Sequence, residues 1–445
     1  MAKAKTVFVC EACGAQSPKW QGQCVDCGAW NTFAEAARPR ALSAPVAGDA
    51  GIRSLTEVGA VDQPRIEVGL TELDRVLGGG LVAGSVILLG GDPGIGKSTL
   101  LLQACAQLAP GLPVLYVTGE ESLHQVGLRA RRLGVEAGAL GLLAETCVER
   151  IIAAAEQARP RVIVIDSVQT VYTEEVDSSP GAVGQLREAS ARLVRFAKHS
   201  GTAMFLIGHV TKEGAIAGPR VLEHMVDTVL YFESEVGSRY RIVRAVKNRF
   251  GAANEIGVFA MTEEGLREVR NPSAIFLSRH EQPVAGSIVT VTREGSRPLL
   301  VEVQALVDES HLGNPRRVAV GLEPNRLALL LAVLHRHGGV AMYDRDVFVN
   351  IVGGMRIAET AADLPALLAA LSSHRDRPIP RETIAFGELG LAGEVRPVPY
   401  GEERLREAAK HGFRRALVPI GNAPRQAIDG LEVVGVRRLA DALEF

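Results

Sequence analysis

The chain has 445 residues, of which 47% are hydrophobic, and its formal net charge is −2. This content suffices for two or three domains with their own cores, and the near-neutral charge excludes a general attraction to nucleic acid, so DNA binding requires a local patch. No apolar run reaches the roughly 18 residues that a membrane span needs, and the first residues lead into a cysteine motif instead of a signal peptide. We therefore expect a cytoplasmic protein without membrane association.

Four cysteines near the start of the chain have the spacing C-x2-C-x10-C-x2-C, and they are Cys10, Cys13, Cys24 and Cys27. Paired C-x2-C turns bring four thiolates onto one tetrahedral zinc ion. Disulfide pairing is the alternative, which the lack of a secretion signal disfavours. We predict a structural zinc ribbon over residues 1–33 that depends on its metal for folding, because so short a segment has little core.

Residues 34–62 are rich in Ala, Pro, Gly and Arg and lack periodicity, which predicts a linker. Beyond it, apolar strands alternate with helical patterns as far as about residue 270. This alternation predicts a mostly parallel sheet wound by helices over residues 63–270. The other two cysteines, Cys105 and Cys147, lie in apolar helical patterns of this region and are interpreted as core residues.

A glycine-rich segment follows the apolar strand at residues 86–89 and fits the P-loop pattern G-x-x-x-x-G-K-[ST]. Its residues are Gly91, Asp92, Pro93, Gly94, Ile95, Gly96, Lys97 and Ser98. Glycines let backbone N–H groups face a phosphate chain, Lys97 brings a charge to the β- and γ-phosphates, and the Ser98 hydroxyl can bind Mg²⁺. The expected helix, with Thr99 in its first turn, directs its positive dipole end at the same anion. We predict an ATP and Mg²⁺ site.

Three further apolar strands are predicted along the chain, at residues 113–117, 161–165 and 202–207. The first leads to Glu120 and Glu121, and either carboxylate can act as the base that polarises the attacking water. The second ends at Asp166, the candidate second ligand of the Mg²⁺ shell. The third precedes His209, which can sense the γ-phosphate, although a lone histidine is more often structural.

A third motif follows the ribbon and the P-loop and consists of Lys247, Asn248, Arg249, Phe250 and Gly251. The three motifs and their order resemble the bacterial RadA (Sms) family, RecA-like ATPases of recombinational repair, and the third motif is the signature of that family. The resemblance covers almost the whole chain and implies that Lys247 and Arg249 reach the nucleotide of a neighbouring subunit as trans-acting fingers. A basic β-hairpin end is the alternative interpretation.

The same resemblance implies that two loops line a central channel in a ring and contact DNA. These are the loops after Asp166 and after His209. Lys212 and Arg220 are the basic residues nearest to the second loop, whereas the first loop is acidic and unattractive to phosphate.

After about residue 270 the pattern changes to strands at residues 286–292 and 299–306 and helices at residues 325–337 and 364–372. This second domain, residues 271–445, resembles the proteolytic domain of Lon proteases. Alignment of flanking segments places Ala361 or Thr360 at the serine nucleophile and Arg404 at the lysine base. Alanine has no nucleophilic oxygen, and a guanidinium cannot act as a neutral base. We therefore expect no peptide hydrolysis.

By its resemblance, the C-terminal domain is expected to serve as a platform for assembly and DNA contact. Arginines spread over an exposed face are more often solubilising than functional. The candidate DNA contacts are Arg293, Arg297, Arg316, Arg317, Arg345 and Arg356.

The expected fold class is α/β, a RecA-like P-loop ATPase core with an N-terminal zinc ribbon and a C-terminal Lon-protease-like α+β domain. The expected function is that of a DNA-dependent ATPase of homologous recombination and DNA repair. It is expected to form a homohexameric ring on single-stranded DNA and to promote branch migration of branched DNA beside a RecA-type recombinase, with ATP, Mg²⁺ and Zn²⁺ as cofactors. An ATP-dependent protease and an ATP-gated recombinase scaffold without motor activity remain as alternatives.

Overall fold

The computed structural model describes residues 6–10, 15–17, 19–37, 64–135, 138–209, 219–234, 238–277, 282–311 and 314–444. The chain divides into two compact units, Met1–Val269 and Arg270–Phe445. Among the helices in the described part of the chain, none has both the length and the apolar character needed to cross a bilayer.

The N-terminal segment forms a small antiparallel sheet in the order β2-β1-β3. Its strands are β1 (Thr6–Cys10), β2 (Gln16–Ser17) and β3 (Phe33–Ala37). Cys10 and Cys24 are buried against Phe33. The sheet therefore extends to Ala37, beyond the residue at which we predicted that the linker begins, because pairing between β1 and β3 uses the backbone and needs no hydrophobic periodicity. Cys13 and residues 38–62 of the predicted linker lie outside the described residues.

A nine-stranded sheet dominates the first unit, in the order β14-β13-β12-β11-β6-β10-β9-β7-β8. It is preceded by the short antiparallel pair β4 (Arg65–Ile66) and β5 (Leu81–Val82). Its parallel strands are β6 (Val86–Gly91), β7 (Val114–Thr118), β8 (Leu140–Ala144), β9 (Val162–Asp166), β10 (Ala203–His209) and β11 (Thr228–Glu233). An antiparallel edge follows with β12 (Tyr240–Asn248), β13 (Ile256–Thr262) and β14 (Gly265–Glu268).

Apolar side chains on both faces of this sheet are buried, as expected for parallel strands covered by helices. In β9, Val162 and Val164 belong to one hydrophobic cluster, whereas Ile163 and Ile165 belong to the cluster on the other face. The covering helices are α1 (Thr71–Leu77), α2 (Lys97–Leu108), α3 (Leu123–Arg132), α4 (Val148–Ala158), α5 (Val183–Ser200) and α6 (Pro219–Met225).

One of the two predicted helical cysteines is not helical. Cys105 lies in α2 and is buried, but Cys147 is the extended residue that precedes α4. The Glu145 side chain accepts hydrogen bonds from the N–H groups of Thr146 and Cys147, at 2.9 and 3.0 Å. These bonds hold Cys147 in an extended conformation before α4. The apolar pattern of the sequence therefore predicted a start of this helix that is too early.

The second unit contains a seven-stranded mixed sheet in the order β17-β18-β16-β15-β19-β22-β23 and a separate pair, β20 with β21. Its strands are β15 (Ser287–Glu294), β16 (Arg297–Glu309), β17 (Arg317–Val320), β18 (Arg345–Ile351), β19 (Thr383–Ala385), β20 (Glu388–Leu389), β21 (Val395–Arg396), β22 (Arg415–Pro419) and β23 (Glu432–Val436). Its helices are α7 (Pro324–Gly338), α8 (Asp363–Arg375), α9 (Gly401–Lys410) and α10 (Leu439–Leu443). The predicted strands and helices of this unit occur with ends displaced by at most a few residues.

Candidate active site

The P-loop connects β6, which ends at Gly91, to α2, which begins at Lys97. Gly96 has a φ of 117°, a left-handed backbone conformation that favours glycine at this position. Gly96, the residue that precedes α2, has no side chain with which to cap the N-terminus of this helix. The positive end of the helix dipole thus faces the loop, as in anion sites at helix N-termini. Ser98 and Thr99 occupy its first turn and are partly buried.

The side chain of Lys97 folds back into the loop. Its Nζ donates hydrogen bonds to the carbonyl oxygens of Gly91 (2.7 Å) and Asp92 (2.8 Å) and lies 3.3 Å from His209 Nδ1. Burial lowers the pKa of Lys97 to about 8, while the carboxylates of Asp166, Asp92 and Glu120 act in the opposite direction.

The two candidate glutamates have different partners in the structure. Glu120 accepts a hydrogen bond from Ser167 Oγ, and its Oε1 lies 3.0 Å from His209 Nε2. The hydrogen bond with His209 lowers the pKa of Glu120 to about 2, against the opposing effect of burial. Glu121 instead forms an ion pair with Arg129 of α3. Of the two, Glu120 is the carboxylate held beside the P-loop lysine and histidine.

Asp166 lies at the end of β9 and is 5% exposed. Its Oδ2 accepts a hydrogen bond of 2.5 Å from the Tyr116 hydroxyl. Burial, and then the neighbouring charge of Asp166, raise the pKa of Tyr116 well above its ordinary value, so the phenol keeps its proton and remains a donor. An oriented carboxylate beside a P-loop suits a hard oxygen-binding cation such as Mg²⁺.

Strand register explains why these groups meet. His209 of β10 pairs with Gly91 of β6, and Thr118 of β7 pairs with Asp166 of β9. The carboxyl ends of neighbouring parallel strands share one edge of the sheet, where α/β proteins bind ligands. Sequence reasoning missed Tyr116 and Ser167. The position of Ser167 directly after Asp166 was a signal for its presence at this edge, whereas Tyr116 lies inside a strand and had no such signal.

The signature loop between β12 and β13 is fixed against α1. Asn248 Nδ2 donates a hydrogen bond to the Val76 carbonyl (3.2 Å), and its Oδ1 accepts one from the Phe250 N–H (2.9 Å). A Cβ at Gly251 would lie 2.8 Å from the Cα of Gly78, so only glycine allows this approach of the two backbones. The uncharged residues of the motif therefore set the shape of the loop.

The two basic residues of the motif do not meet the P-loop of their own chain. Lys247 Nζ donates hydrogen bonds to the carbonyl oxygens of Glu223 (2.6 Å) and Val226 (2.7 Å), and burial lowers its pKa. Arg249 Nη1 lies 3.2 Å from Asp227 Oδ1.

Asp227 in turn is bound to Val86, at the opposite end of β6 from Gly91. At about 3.3 Å per residue, β6 alone separates the two ends by roughly 16 Å. The structure thus brings together Lys97, Glu120, Asp166 and His209, and it places Lys247 and Arg249 elsewhere.

Three of the four predicted zinc ligands converge. The Sγ atoms of Cys10, Cys24 and Cys27 lie within 4.8 Å of one another, and those of Cys10 and Cys27 are 3.7 Å apart. Sulfurs at about 2.3 Å from a tetrahedral zinc ion are about 3.8 Å apart. The cluster therefore fits zinc, with Cys13 as the expected fourth ligand outside the described residues.

The loop after Asp166 is acidic, as predicted, but part of its charge is paired. Glu175 forms an ion pair with Arg192, and Glu174 lies 3.9 Å from Arg150. Lys212 lies outside the described residues, and the side chain of Arg220 is not described. The predicted DNA contacts of these loops stay predictions.

The position aligned with the Lon lysine holds a buried ion pair. Arg404 is 1% exposed, and its Nη1 and Nη2 donate hydrogen bonds to Glu359 at 2.8 and 2.5 Å. Ala361 is buried and offers no nucleophile, and the Thr360 hydroxyl donates a hydrogen bond to Glu388 at 2.8 Å. This arrangement supplies a structural ion pair where peptide hydrolysis requires a neutral base.

At least four of the six candidate DNA-binding arginines, namely Arg293, Arg297, Arg317 and Arg345, have intramolecular partners. The Arg293 guanidinium stacks 3.3 Å from a tyrosine ring centroid, Arg345 pairs with a glutamate, and Arg317 donates hydrogen bonds to backbone carbonyl groups. Arg316 and Arg356 are exposed. Contacts of the six arginines with DNA stay predictions.

Three family models match this chain. Residues 8–35 match a rubredoxin metal binding domain, residues 53–215 match an AAA domain, and residues 326–422 match subunit ChlI of Mg-chelatase. The matches follow the order expected for a zinc ribbon, a P-loop ATPase and a Lon-like domain, and the predicted fold class is confirmed.

Similar proteins match along the full length. The chain is 62% identical to DNA repair protein RadA of Pseudomonas aeruginosa, covering 100% of this chain and 99% of the relative. It is 57% identical, with the same coverage, to DNA repair protein RadA of Escherichia coli and of Salmonella typhimurium.

Zinc removal should unfold the ribbon and leave the P-loop sheet folded, because the ribbon core is small and the metal supplies its folding energy. Both tryptophans of the chain, Trp20 and Trp30, lie in the ribbon and report on it alone. We expect a strong chelator, Cys13→Ala or Cys24→Ala to shift their fluorescence and release the zinc. Cys105→Ala is the matched control, and a zinc content that Cys13→Ala left unchanged would contradict the four-cysteine site.

Nucleotide affinity should fall as pH rises above 8. The pKa of Lys97 in the free protein is about 8, and bound phosphates raise it. The contribution of its charge to affinity is therefore complete below about pH 8 and is lost progressively as the pH rises from there to the higher pKa of the bound state. We expect the Kd for ADP with Mg²⁺ to rise about tenfold between pH 7 and pH 9 by calorimetry, a range above the titration of the phosphates themselves. Lys97→Ala should bind weakly and show no such dependence. An unchanged Kd for the intact chain would show that Lys97 stays charged.

Proposed function

Because this chain belongs to the RadA family of DNA repair proteins and carries an AAA-type ATPase domain, we propose that it is a cytoplasmic, DNA-dependent ATPase. In this proposal it forms a homohexameric ring on single-stranded DNA. Hydrolysis drives the ring along the strand and promotes branch migration of recombination intermediates beside a RecA-type recombinase.

One observation carries the proposal. Lys97 and Arg249 lie at opposite ends of β6, and Arg249 is bound there to Asp227. Phosphoryl transfer gains from an arginine that stabilises charge on the transferred group. Arg249 cannot reach the phosphates at the P-loop of its own chain from this position. In the proposal it therefore contacts the phosphates that are bound to an adjacent subunit. Head-to-tail contacts of this kind close into rings.

Within its own site, each residue has a distinct role in the proposal. Lys97 binds the β- and γ-phosphates, and Ser98 with Asp166 holds Mg²⁺, which neutralises charge on the phosphate oxygens when bound. Glu120 orients the attacking water, and its low pKa suits an oriented hydrogen-bond acceptor better than a strong base. His209 lies between Lys97 and Glu120 and so senses whether the γ-phosphate is present.

Lys247 accompanies Arg249 at the neighbouring site. The C-terminal unit, in this proposal, holds the ring together and contacts DNA through its exposed arginines. It does not cut peptides, because Arg404 is committed to Glu359.

ATP hydrolysis with and without single-stranded DNA tests the proposal. We expect DNA to stimulate turnover in the intact chain, no turnover in Lys97→Ala, and a loss of about a thousandfold or more in Arg249→Ala, the scale of an arginine finger. Arg267→Ala, which removes an exposed arginine paired with Glu264, is the matched control. Casein should remain intact in every sample.

Mixing the two inactive variants tests the trans arrangement. Arg249→Ala subunits keep a complete P-loop and Lys97→Ala subunits keep the finger, so mixed rings should regain hydrolysis that neither variant shows alone. Absence of recovery would show that Arg249 acts within its own chain. Turnover that ignores DNA would support the scaffold alternative, and casein cleavage would support the protease.

A further inference from the structure

Asp227 is the buried centre of a cluster that includes the finger residue. It lies directly before β11, and 3% of its side chain is exposed. Its Oδ2 accepts hydrogen bonds from the Val86 N–H (3.0 Å) and from Lys198 Nζ, and its Oδ1 lies 3.2 Å from Arg249 Nη1. Two cations and a backbone donor thus compensate for the burial of one carboxylate.

Asp227 binds Arg249 through two separate contacts. The backbone N–H of Arg249 donates a hydrogen bond to the Asp227 carbonyl oxygen (3.1 Å), and its Nη1 pairs with the carboxylate. A guanidinium carries five N–H groups in a planar fork, and 57% of the Arg249 side chain remains exposed. One nitrogen is therefore anchored while the outer part of the fork stays accessible to a phosphate.

We propose that Asp227 is a positioning residue that orients the Arg249 guanidinium toward the nucleotide of the adjacent subunit. The inference rests on the proposed trans-acting role of Arg249. Asp227 does not contact the nucleotide and acts through Arg249.

The charges of the cluster suit this role. An unpaired aspartate beside the arginine would weaken its attraction for phosphate, but Lys198 of α5 offsets the carboxylate, so the three side chains together carry one positive charge. Lys198 Nζ also lies 6.0 Å from the centroid of the Phe250 ring, next to Arg249 in the chain. Asp227 thus holds Arg249, while Lys198 keeps the net charge of the cluster positive.

The bond to Val86 supplies a rigid reference for the finger. Val86 begins β6, which is buried along its length and ends at the P-loop of the same subunit. Asp227 therefore fixes Arg249 to the sheet, and the signature loop need not do so alone. A pre-oriented donor loses little entropy when charge develops on the phosphoryl group.

The test uses full-length subunits. Asp227→Asn keeps an acceptor for the Val86 N–H but loses the charge that holds Arg249. We expect kcat for ATP to fall about tenfold or more, with KM for ATP unchanged because the P-loop is intact. Asp227→Asn in the Arg249→Ala background should be no slower than Arg249→Ala alone, since both act through one group.

Subunit mixing then distinguishes positioning from general damage. Asp227→Asn mixed with Lys97→Ala should recover hydrolysis, because the Lys97→Ala subunits supply intact fingers. Asp227→Asn mixed with Arg249→Ala should not recover. Recovery in the second mixture, or failure in the first with an unchanged thermal midpoint, would overturn the inference.

Two further variants complete the design. Lys198→Gln removes the other cationic side chain bound to Asp227, and we expect a much smaller loss of kcat. An equal loss would show that Asp227 acts through α5 and would overturn the inference. If Asp227→Asn is unfolded at the assay temperature, Asp227→Glu, which keeps the charge but displaces it, takes its place. Failure of the Lys97→Ala and Arg249→Ala mixture would instead overturn the trans role itself.

Discussion

Strand β6 carries a charged cluster at each of its ends, and the rest of the proposed mechanism depends on their separation. At one end Lys97 meets Glu120 and His209 beside the P-loop. At the other end Asp227 binds Arg249. A buried, hydrogen-bonded strand does not shorten, so the two clusters of one subunit cannot both contact the phosphates of the same nucleotide. In the proposed mechanism, the ATP site therefore receives its arginine from an adjacent subunit.

Burial decides how each cluster behaves electrostatically. The P-loop lysine loses solvation, and its ammonium group donates hydrogen bonds to the loop carbonyls of Gly91 and Asp92. Glu120 remains ionised because His209 and Ser167 stabilise its charge. A nucleotide that binds Lys97 also changes the surroundings of His209 and Glu120, because the three side chains are in contact. In the proposed mechanism, these contacts couple nucleotide binding to the orientation of the attacking water.

The sequence was sufficient to predict the fold class and the sheet edge that carries the candidate site, because P-loop spacing, strand periodicity and polar residues after strands are local signals. It could not choose between Glu120 and Glu121, which follow each other in one turn and differ only in their partners. It misplaced Cys147, since a side chain of the preceding residues holds that segment extended. Asp227 went unnoticed because its partners lie 141, 29 and 22 residues away, beyond any spacing rule.

The central claim is that the ATP site is completed between subunits, and the turnover number as a function of protein concentration tests it most directly. At saturating ATP, Mg²⁺ and single-stranded DNA, the account predicts that hydrolysis per subunit falls steeply when dilution dissociates the assembly, as followed by light scattering in the same samples. Hydrolysis per subunit that stayed constant through dissociation would contradict it, because the site would then be complete within one chain.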